Sequence, residues 1–545
     1  MASYFRAIAV DYDGTITMAD RPGDAVLEAI RDVRGSGRKV VLVTGRMLFE
    51  LRADFPEVEQ HFDAIVAENG GMLWRPNLNS RRLAEPVSAA LHDALLARSI
   101  AVRKGEVLLA TDATNDAVVL QEISRLGLDC QIVHNRGALM VLPAGVSKGT
   151  GLFQALADLG ISFHNCVGIG DAENDHSLID ACEVGVATAN AIDSLKAHAD
   201  IVLPEPNGVG VGRFLRGMIL NECKGVEPKR WSVVIGTSTD GQPVTIPGSR
   251  TNLLITGGAG SGKSYLAGLV AEQLLRLRYS LCILDLEGDH VGLAGMRGVI
   301  VLGQSDPLPT PEYLGKLLLH RFGSVVLDLS THTDDKKRTY VREVLDYLQR
   351  LKQDTGLPHW IFLEEAHVAL GDEGALGLAE HGICLVTYHP QDLSEKALRS
   401  ADLTIDLQEM GATLRQRDQS VATTFTLGHR TTMHLRHLHK YEQALLPENR
   451  RFFFRDDKRA TETVAANLAE FAALLTHVPE AVVRHHARGR DFSRWILDVF
   501  RDSHLAHEIR DIEKELASAS VNGNINSLRN AIISAIEARF SPPIS

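Results

Sequence analysis

Apolar residues in the first two hundred positions come in short runs separated by amphipathic stretches. The runs Phe5–Val10, Lys39–Thr44 and Ser162–Ile169 have the length of strands buried on both faces. Ala25–Ser36, between the first two, carries apolar residues at helical spacing. This alternation predicts a parallel sheet with helices on both sides. Periodicity weakens over about Met47–Val146, a segment long enough to form an inserted α+β cap.

Charge, glycine and proline mix at 221–232, which reads as a linker. Beyond it the alternation resumes. Strands are predicted at Asn252–Thr256, Ser280–Leu286, Val299–Gly303, Ser324–Leu329, Trp360–Glu364, Ile383–Tyr388 and Leu403–Leu407. Long helices are predicted at Lys263–Arg276 and Asp334–Lys352. From about Phe452 the spacing turns helical, over Ala460–Leu475, Phe492–Phe500 and Ile525–Arg539. The pattern therefore divides the chain into an α/β module at 1–220 with its cap at about 47–147, the linker, a second α/β module at 233–445, and a small, mostly helical part at 446–545.

Composition changes this picture little. A chain of 545 residues exceeds one core, in keeping with several domains. A net charge of −12 makes nucleic acid the less favoured partner, although a local basic face is compatible with that total. The six cysteines form no CxxC pair and lie mostly in apolar runs, as buried thiols of a reducing compartment do. No apolar run approaches the ~18 residues of a membrane span, so the expectation is a cytoplasmic protein with no membrane partner.

Chemistry enters at the strand ends. Asp11 and Asp13 follow Phe5–Val10 two apart, so both side chains can point to the ligand-bearing side of the sheet. A carboxylate there can attack phosphorus to form an aspartyl-phosphate, and the second can protonate the leaving alkoxide and then activate water. Two carboxylates facing a phosphate require compensating charge. Asp171 and Asp175, in Gly170-Asp171-Ala172-Glu173-Asn174-Asp175, are hard oxygen donors suited to Mg²⁺, and Lys148 can supply a cation. Thr44-Gly45-Arg46 offers a hydroxyl and backbone N–H groups to phosphoryl oxygens.

These four motifs, in this order, resemble those of the haloacid dehalogenase superfamily of phosphohydrolases over about residues 4–216. The resemblance implies Asp11 as nucleophile, Asp13 as acid/base, and Thr44 and Lys148 as phosphoryl stabilisers. It also implies magnesium held by Asp11, Asp171, Asp175 and the backbone carbonyl of Asp13. Glu68-Asn69-Gly70-Gly71 and the segment after it look like the start of a type-IIB cap, as in Cof-like phosphatases. The intact Asp13 favours phosphomonoester hydrolysis or phosphomutase chemistry on a small phosphorylated metabolite.

A second phosphate signature stands at Gly257-Gly258-Ala259-Gly260-Ser261-Gly262-Lys263-Ser264, between a predicted strand and a predicted helix. Gly257, Gly260 and Gly262 let backbone N–H groups face a β-phosphate, Lys263 reaches the β- and γ-phosphates, and Ser264 is a magnesium ligand. Glu364 and Glu365 end the strand from Trp360; the first can hold the magnesium shell, the second can polarise water. Asp285-Leu286-Glu287-Gly288 fits a GTPase pattern, but no guanine-reading NKxD follows, so ATP is the expected nucleotide. Thr387 and His389 take the place of a polar sensor.

The stretch from about Trp231 to Tyr441 resembles the HerA/FtsK-like branch of P-loop ATPases. The resemblance rests on Asp285–Gly288, Glu364-Glu365-Ala366-His367 and Tyr388-His389-Pro390-Gln391-Asp392-Leu393-Ser394. It implies ATP hydrolysis, a ring-shaped homo-oligomer and, in the alternative reading, a nucleic-acid motor with the phosphatase as effector. Glu364 replaces the usual Asp, and little room precedes the P-loop for the small barrel of such proteins. Arg399, Arg415 and Arg417 are candidate arginine fingers. The histidine-rich stretch His434–Tyr441 reads as a half-buried strand rather than a metal site.

Overall fold

Ala7–Val10 is buried at every position because it lies in the middle of a sheet covered on both faces. A computed structural model describes residues 3–135, 137–258, 261–303, 306–370, 381–408, 411–417, 422–432, 446, 448–455, 460–500, 503–518 and 525–540. The first sheet has eight strands, in the order Ile201–Val202, Val184–Ala187, Cys166–Gly170, Ala7–Val10, Lys39–Val43, Ala64–Ala67, Met72–Trp74 and Arg81–Arg82. The first six run parallel and the last two fold back antiparallel. Ile8 and Val10 pack on helices Asp24–Gly35 and Asn207–Arg216, while the small Ala7 and Ala9 face helix Lys148–Leu159.

The strands at 64–82 belong to this first sheet, so the separately folded insertion is shorter than 47–147. Its core is a four-stranded antiparallel sheet of Arg103–Lys104, Leu109–Asp112, Ala138–Pro143 and Cys130–Asn135, packed on helices Ala89–Ala97 and Asp116–Leu126. Glu68 fastens this insertion to the module below it. Its fully buried carboxylate accepts the backbone N–H groups of Glu106, Val107 and Leu108 at 2.8–3.1 Å.

All seven strands predicted beyond the linker exist, and they form the parallel half of an eleven-stranded sheet. The other half is an antiparallel wing of Pro243–Ile246, Val233–Ser238, Ala422–Leu427 and Gly411–Gln416, which pairs with Leu403–Gln408. The C-terminal part is mostly helical, with one correction. Ala460–Ala465 is a strand paired with Phe452–Arg455, and the helix begins only at Leu468, where the Asn467 side chain accepts the N–H of Glu470. No helix among the described residues is long and apolar enough to cross a membrane.

Candidate functional site

Gly14 has a φ of 84°, and the turn it permits bends the chain sharply after the strand carrying Asp11. Asp11, Asp171 and Asp175, all buried, place carboxylate oxygens within 4.8 Å of one another. The buried Lys148 ammonium bridges two of them, 2.6 Å from Asp11 Oδ1 and 2.6 Å from Asp175 Oδ1. Burial and the charge of Asp175 push the Asp11 carboxyl up to about 7, against the opposing pull of Lys148. Burial opposes the charge on Lys148, but the two carboxylates outweigh it and hold the ammonium above its ordinary range. Lys148 is positioned by a capping box, in which the Ser147 hydroxyl accepts the Thr150 N–H and the Thr150 hydroxyl accepts the Ser147 N–H.

Asp175 has a second task. Its Oδ2 accepts the backbone N–H groups of Asp171 and Ala172, each at 2.9 Å, which fixes the turn that presents Asp171. Thr15 donates its hydroxyl to Asp171 Oδ1 at 2.9 Å. Thr44 is fully buried and accepts the N–H of Arg46. Asp13 points elsewhere: it is 42% exposed and clamped by Arg46, with Nε 2.9 Å from Oδ2 and Nη2 2.6 Å from Oδ1. The Arg46 side chain is one the sequence reading passes over, since Thr44-Gly45-Arg46 is assigned only the Thr44 hydroxyl and backbone N–H groups. Both residues line a cleft of about 590 Å³ between module and insertion, with Asp54, Arg103, Asn135 and Met140 on its other walls.

In the second module, Gly257 and Gly262 adopt φ of 144° and 101°, which opens the loop ahead of helix Lys263–Arg276. Gly260 lies outside the described residues. Lys263 is buried and donates to the Gly258 carbonyl at 2.9 Å, and Ser264 follows it in the first turn of that helix. Glu364 is buried and accepts from His290 Nε2 at 2.7 Å. Asp285 holds His290 in place: its carboxylate gathers the N–H groups of Glu287, Gly288, Asp289 and His290 at 2.7–3.3 Å. Burial pushes the Asp285 carboxyl up to about 7. Burial also works against a charged His290, but Glu364 and Asp285 prevail and raise it.

Glu365 takes a positive φ of 45° at the end of its strand, and Thr387 shares a hydrogen bond with His367 at 3.0 Å. His290 escaped the sequence reading, since it lies 74 residues from its partner. Arg399 and Arg417 are tied to Glu395 and to Asp402 with the Ala401 carbonyl, and Arg415 is exposed. Arg430 is instead buried against the P-loop helix, so close that a Cβ on Gly268 would meet its guanidinium at 2.1 Å. The stretch His434–Tyr441 lies outside the described residues.

Residues 104–215 match the family described as haloacid dehalogenase-like hydrolase, and 233–357 match the central domain of helicase HerA. A solved haloacid dehalogenase-like hydrolase from B. subtilis covers 39% of this chain and 100% of its own at 17% identity, with a TM-score of 0.34. A phosphoglycolate phosphatase of Methanothermobacter thermautotrophicus is 34% identical over 222 residues, spanning 39% of this chain and 97% of that protein. One from Archaeoglobus fulgidus is 32% identical over 220 residues, spanning 39% and 96%. The chain belongs to the haloacid dehalogenase-like hydrolases. It is a phosphatase-type hydrolase that carries a HerA-type P-loop domain in the same polypeptide.

Proposed function

We propose that the first module hydrolyses a small phosphorylated acid through an aspartyl-phosphate on Asp11, and that the second binds and hydrolyses ATP. The observation that carries the first reading is the buried cluster of Asp11, Lys148, Asp171 and Asp175 at adjacent strand ends. An all-oxygen donor set suits magnesium. Asp175 spends both oxygens on Lys148 and on backbone N–H groups, which favours Asp11, Asp171 and the Asp13 carbonyl as ligands. Bound there, magnesium would supply the positive charge that keeps Asp11 ionised and draws in a phosphate.

Asp11 attacks phosphorus, with Lys148 beside the charge that develops on the phosphoryl oxygens. Asp13 gives its proton to the departing alkoxide and afterwards takes one from the water that cleaves the acyl-phosphate. For that, Arg46 must release Asp13, because the guanidinium occupies both carboxylate oxygens. The relatives named phosphoglycolate phosphatases, and a cleft presenting Arg46 and Arg103, support a substrate bearing a carboxylate.

Lys263, Ser264, Glu364 and Glu365 would serve ATP in the second module. The buried Glu364 and the half-buried Ser264 fit a magnesium shell, with His290 orienting Glu364. The test is Asp11→Asn in the full chain with magnesium. Release of phosphate from phosphoglycolate and from p-nitrophenyl phosphate should vanish while ATP binding persists; persisting ester turnover refutes the assignment.

A further inference from the structure

The two modules meet at the N-terminal ends of their strands, across a seam that is buried and polar. Glu183, fully buried, accepts from His164 Nδ1 at 2.6 Å, from the Tyr279 hydroxyl at 3.0 Å and from the Ser249 hydroxyl. His164 Nε2 donates to the Leu277 carbonyl at 2.8 Å, and its ring lies on that of Tyr279, with centroids 3.5 Å apart. Arg6 donates to the carbonyls of Lys352 and Gln353, in the last turn of helix Asp334–Thr355.

Residues 221–232 are fastened as well. The Arg230 guanidinium reaches the carbonyls of Ile179, Cys182 and Glu183 and pairs with Asp200 at 2.7 Å; Trp231 donates to Glu183 O at 3.0 Å. Arg250, from the second module, holds the carbonyls of Glu222 and Cys223 at 3.0 Å each. A buried network of this kind is costly to leave half made, so the modules are held in one register.

These contacts join the working parts of the two sites. Leu277 caps the C-terminus of the helix whose first residue is Lys263. His164 lies just before Cys166–Gly170, the strand that ends at Asp171. Helix Asp334–Thr355 leads into Trp360–Leu363, the strand that ends at Glu364 and Glu365, and Arg6 immediately precedes the strand that ends at Asp11. Both phosphatase strands that carry reactive carboxylates thus begin on the C-terminal end of a helix from the ATPase module. Lys263, bonded to its own loop at Gly258, must give up that bond to reach a phosphate, so nucleotide binding rearranges the first turn of the helix that ends at Leu277.

We propose that nucleotide at the P-loop sets the rate of ester hydrolysis at Asp11, transmitted through the Leu277–His164 and Lys352–Arg6 contacts. The proposal rests on the phosphatase and nucleotide-binding readings above. Packed interiors pass displacements on rather than absorbing them, so a small shift at Leu277 moves Asp171 relative to Asp11.

The full chain with magnesium is assayed for kcat/KM on p-nitrophenyl phosphate with and without a non-hydrolysable ATP analogue. The Kd of the analogue is measured with and without orthovanadate, and that of vanadate with and without the analogue. The analogue should change kcat/KM by about five-fold or more, and the two Kd shifts should be equal, as linkage demands. His164→Gln and Arg6→Gln should each bind both ligands and show smaller coupling. An analogue that binds yet changes neither ester turnover nor vanadate affinity overturns the proposal, as does full coupling in a folded double variant. Equal Kd shifts without any ester hydrolysis would support the seam and refute the phosphatase reading instead; the wild-type Kd comparison needs no variant to fold.

Discussion

Gly70 is a position where a single methyl group should disturb the phosphatase site. Its φ is 106°, and a Cβ there would stand 2.0 Å from the carbonyl oxygen of Ser147 and 3.3 Å from the N–H of Gly151. An ordinary contact needs more than 3 Å, so Gly70→Ala must drive the first turn of helix Lys148–Leu159 away by about 1 Å. That turn carries Lys148, whose ammonium sits 2.6 Å from both Asp11 and Asp175. A 1 Å misplacement of a charge-stabilising group costs about 10²-fold in rate. Backbone strain alone costs about 1–3 kcal/mol for a side chain at such a φ. Gly145→Ala separates the two effects: its φ is 79°, its Cβ would meet nothing within 4 Å, and it lies three residues before Lys148. Thermal unfolding with p-nitrophenyl phosphate kinetics distinguishes them. Gly145→Ala should lose stability and keep most of its kcat, whereas Gly70→Ala should lose about 10²-fold in kcat and keep its affinity for nucleotide. Equal kcat in the two variants would refute the placement of Lys148 as the source of the loss.

Burial pushes Lys352 down to about 7, whereas the unfolded chain has it near ~10.4. Between these values the unfolded state binds more protons, so stability rises with pH across that window and the full penalty applies below it. Lys352→Met should therefore raise the free energy of unfolding at pH 7, by on the order of 3 kcal/mol after losing the bond to the His359 carbonyl, with the gain fading towards pH 10 in denaturant titrations; an equal gain at both pH values contradicts it. His290→Ala should lower ATP turnover about ten-fold or more with little change in the Kd of an ATP analogue, and His290→Gln should recover part of it, because an amide can still donate to Glu364. No recovery with Gln would count against an orienting role. Glu68→Ala strands three backbone N–H groups of the insertion, so ester KM should rise several-fold while nucleotide affinity stays constant; an unchanged KM removes Glu68 from that role.

What was legible in the sequence was whatever is buried on two faces. Ala7–Val10, Leu281–Asp285 and Trp360–Leu363 are unbroken apolar runs because helices cover both sides of them. The wing was missed for the converse reason: Val233–Ser238, Gly411–Gln416 and Ala422–Leu427 bury only some of their residues and are interrupted by Thr, Ser and Arg. Ala460–Ala465 deceived through its alanines, which extend the helical spacing upstream of Asn467; the alternating Thr461-Glu462-Thr463-Val464 was the better guide. Candidate site residues can be named from the sequence wherever chemistry sits at a fixed offset from a strand end. Arg46 on Asp13, His290 on Glu364 and His164 on Glu183 cannot, since each pair is made only when distant segments meet.

The polarity of the seam also decides how the two chemistries can be related. Each module turns the N-terminal ends of its strands to the other, so Asp11 and Lys263 lie at opposite poles of the joined pair. Strands of about five residues at about 3.3 Å each place the two centres roughly 30 Å or more apart. Phosphoryl transfer needs donor and acceptor within about 3.5 Å, so within one chain the γ-phosphate of ATP cannot reach Asp11. What passes between the sites must then be a change of geometry. An apolar seam could absorb such a change by slipping. One built from Glu183, His164, Arg230 and Arg6 would have to break these hydrogen bonds to slip, so on the proposed coupling it carries the displacement across.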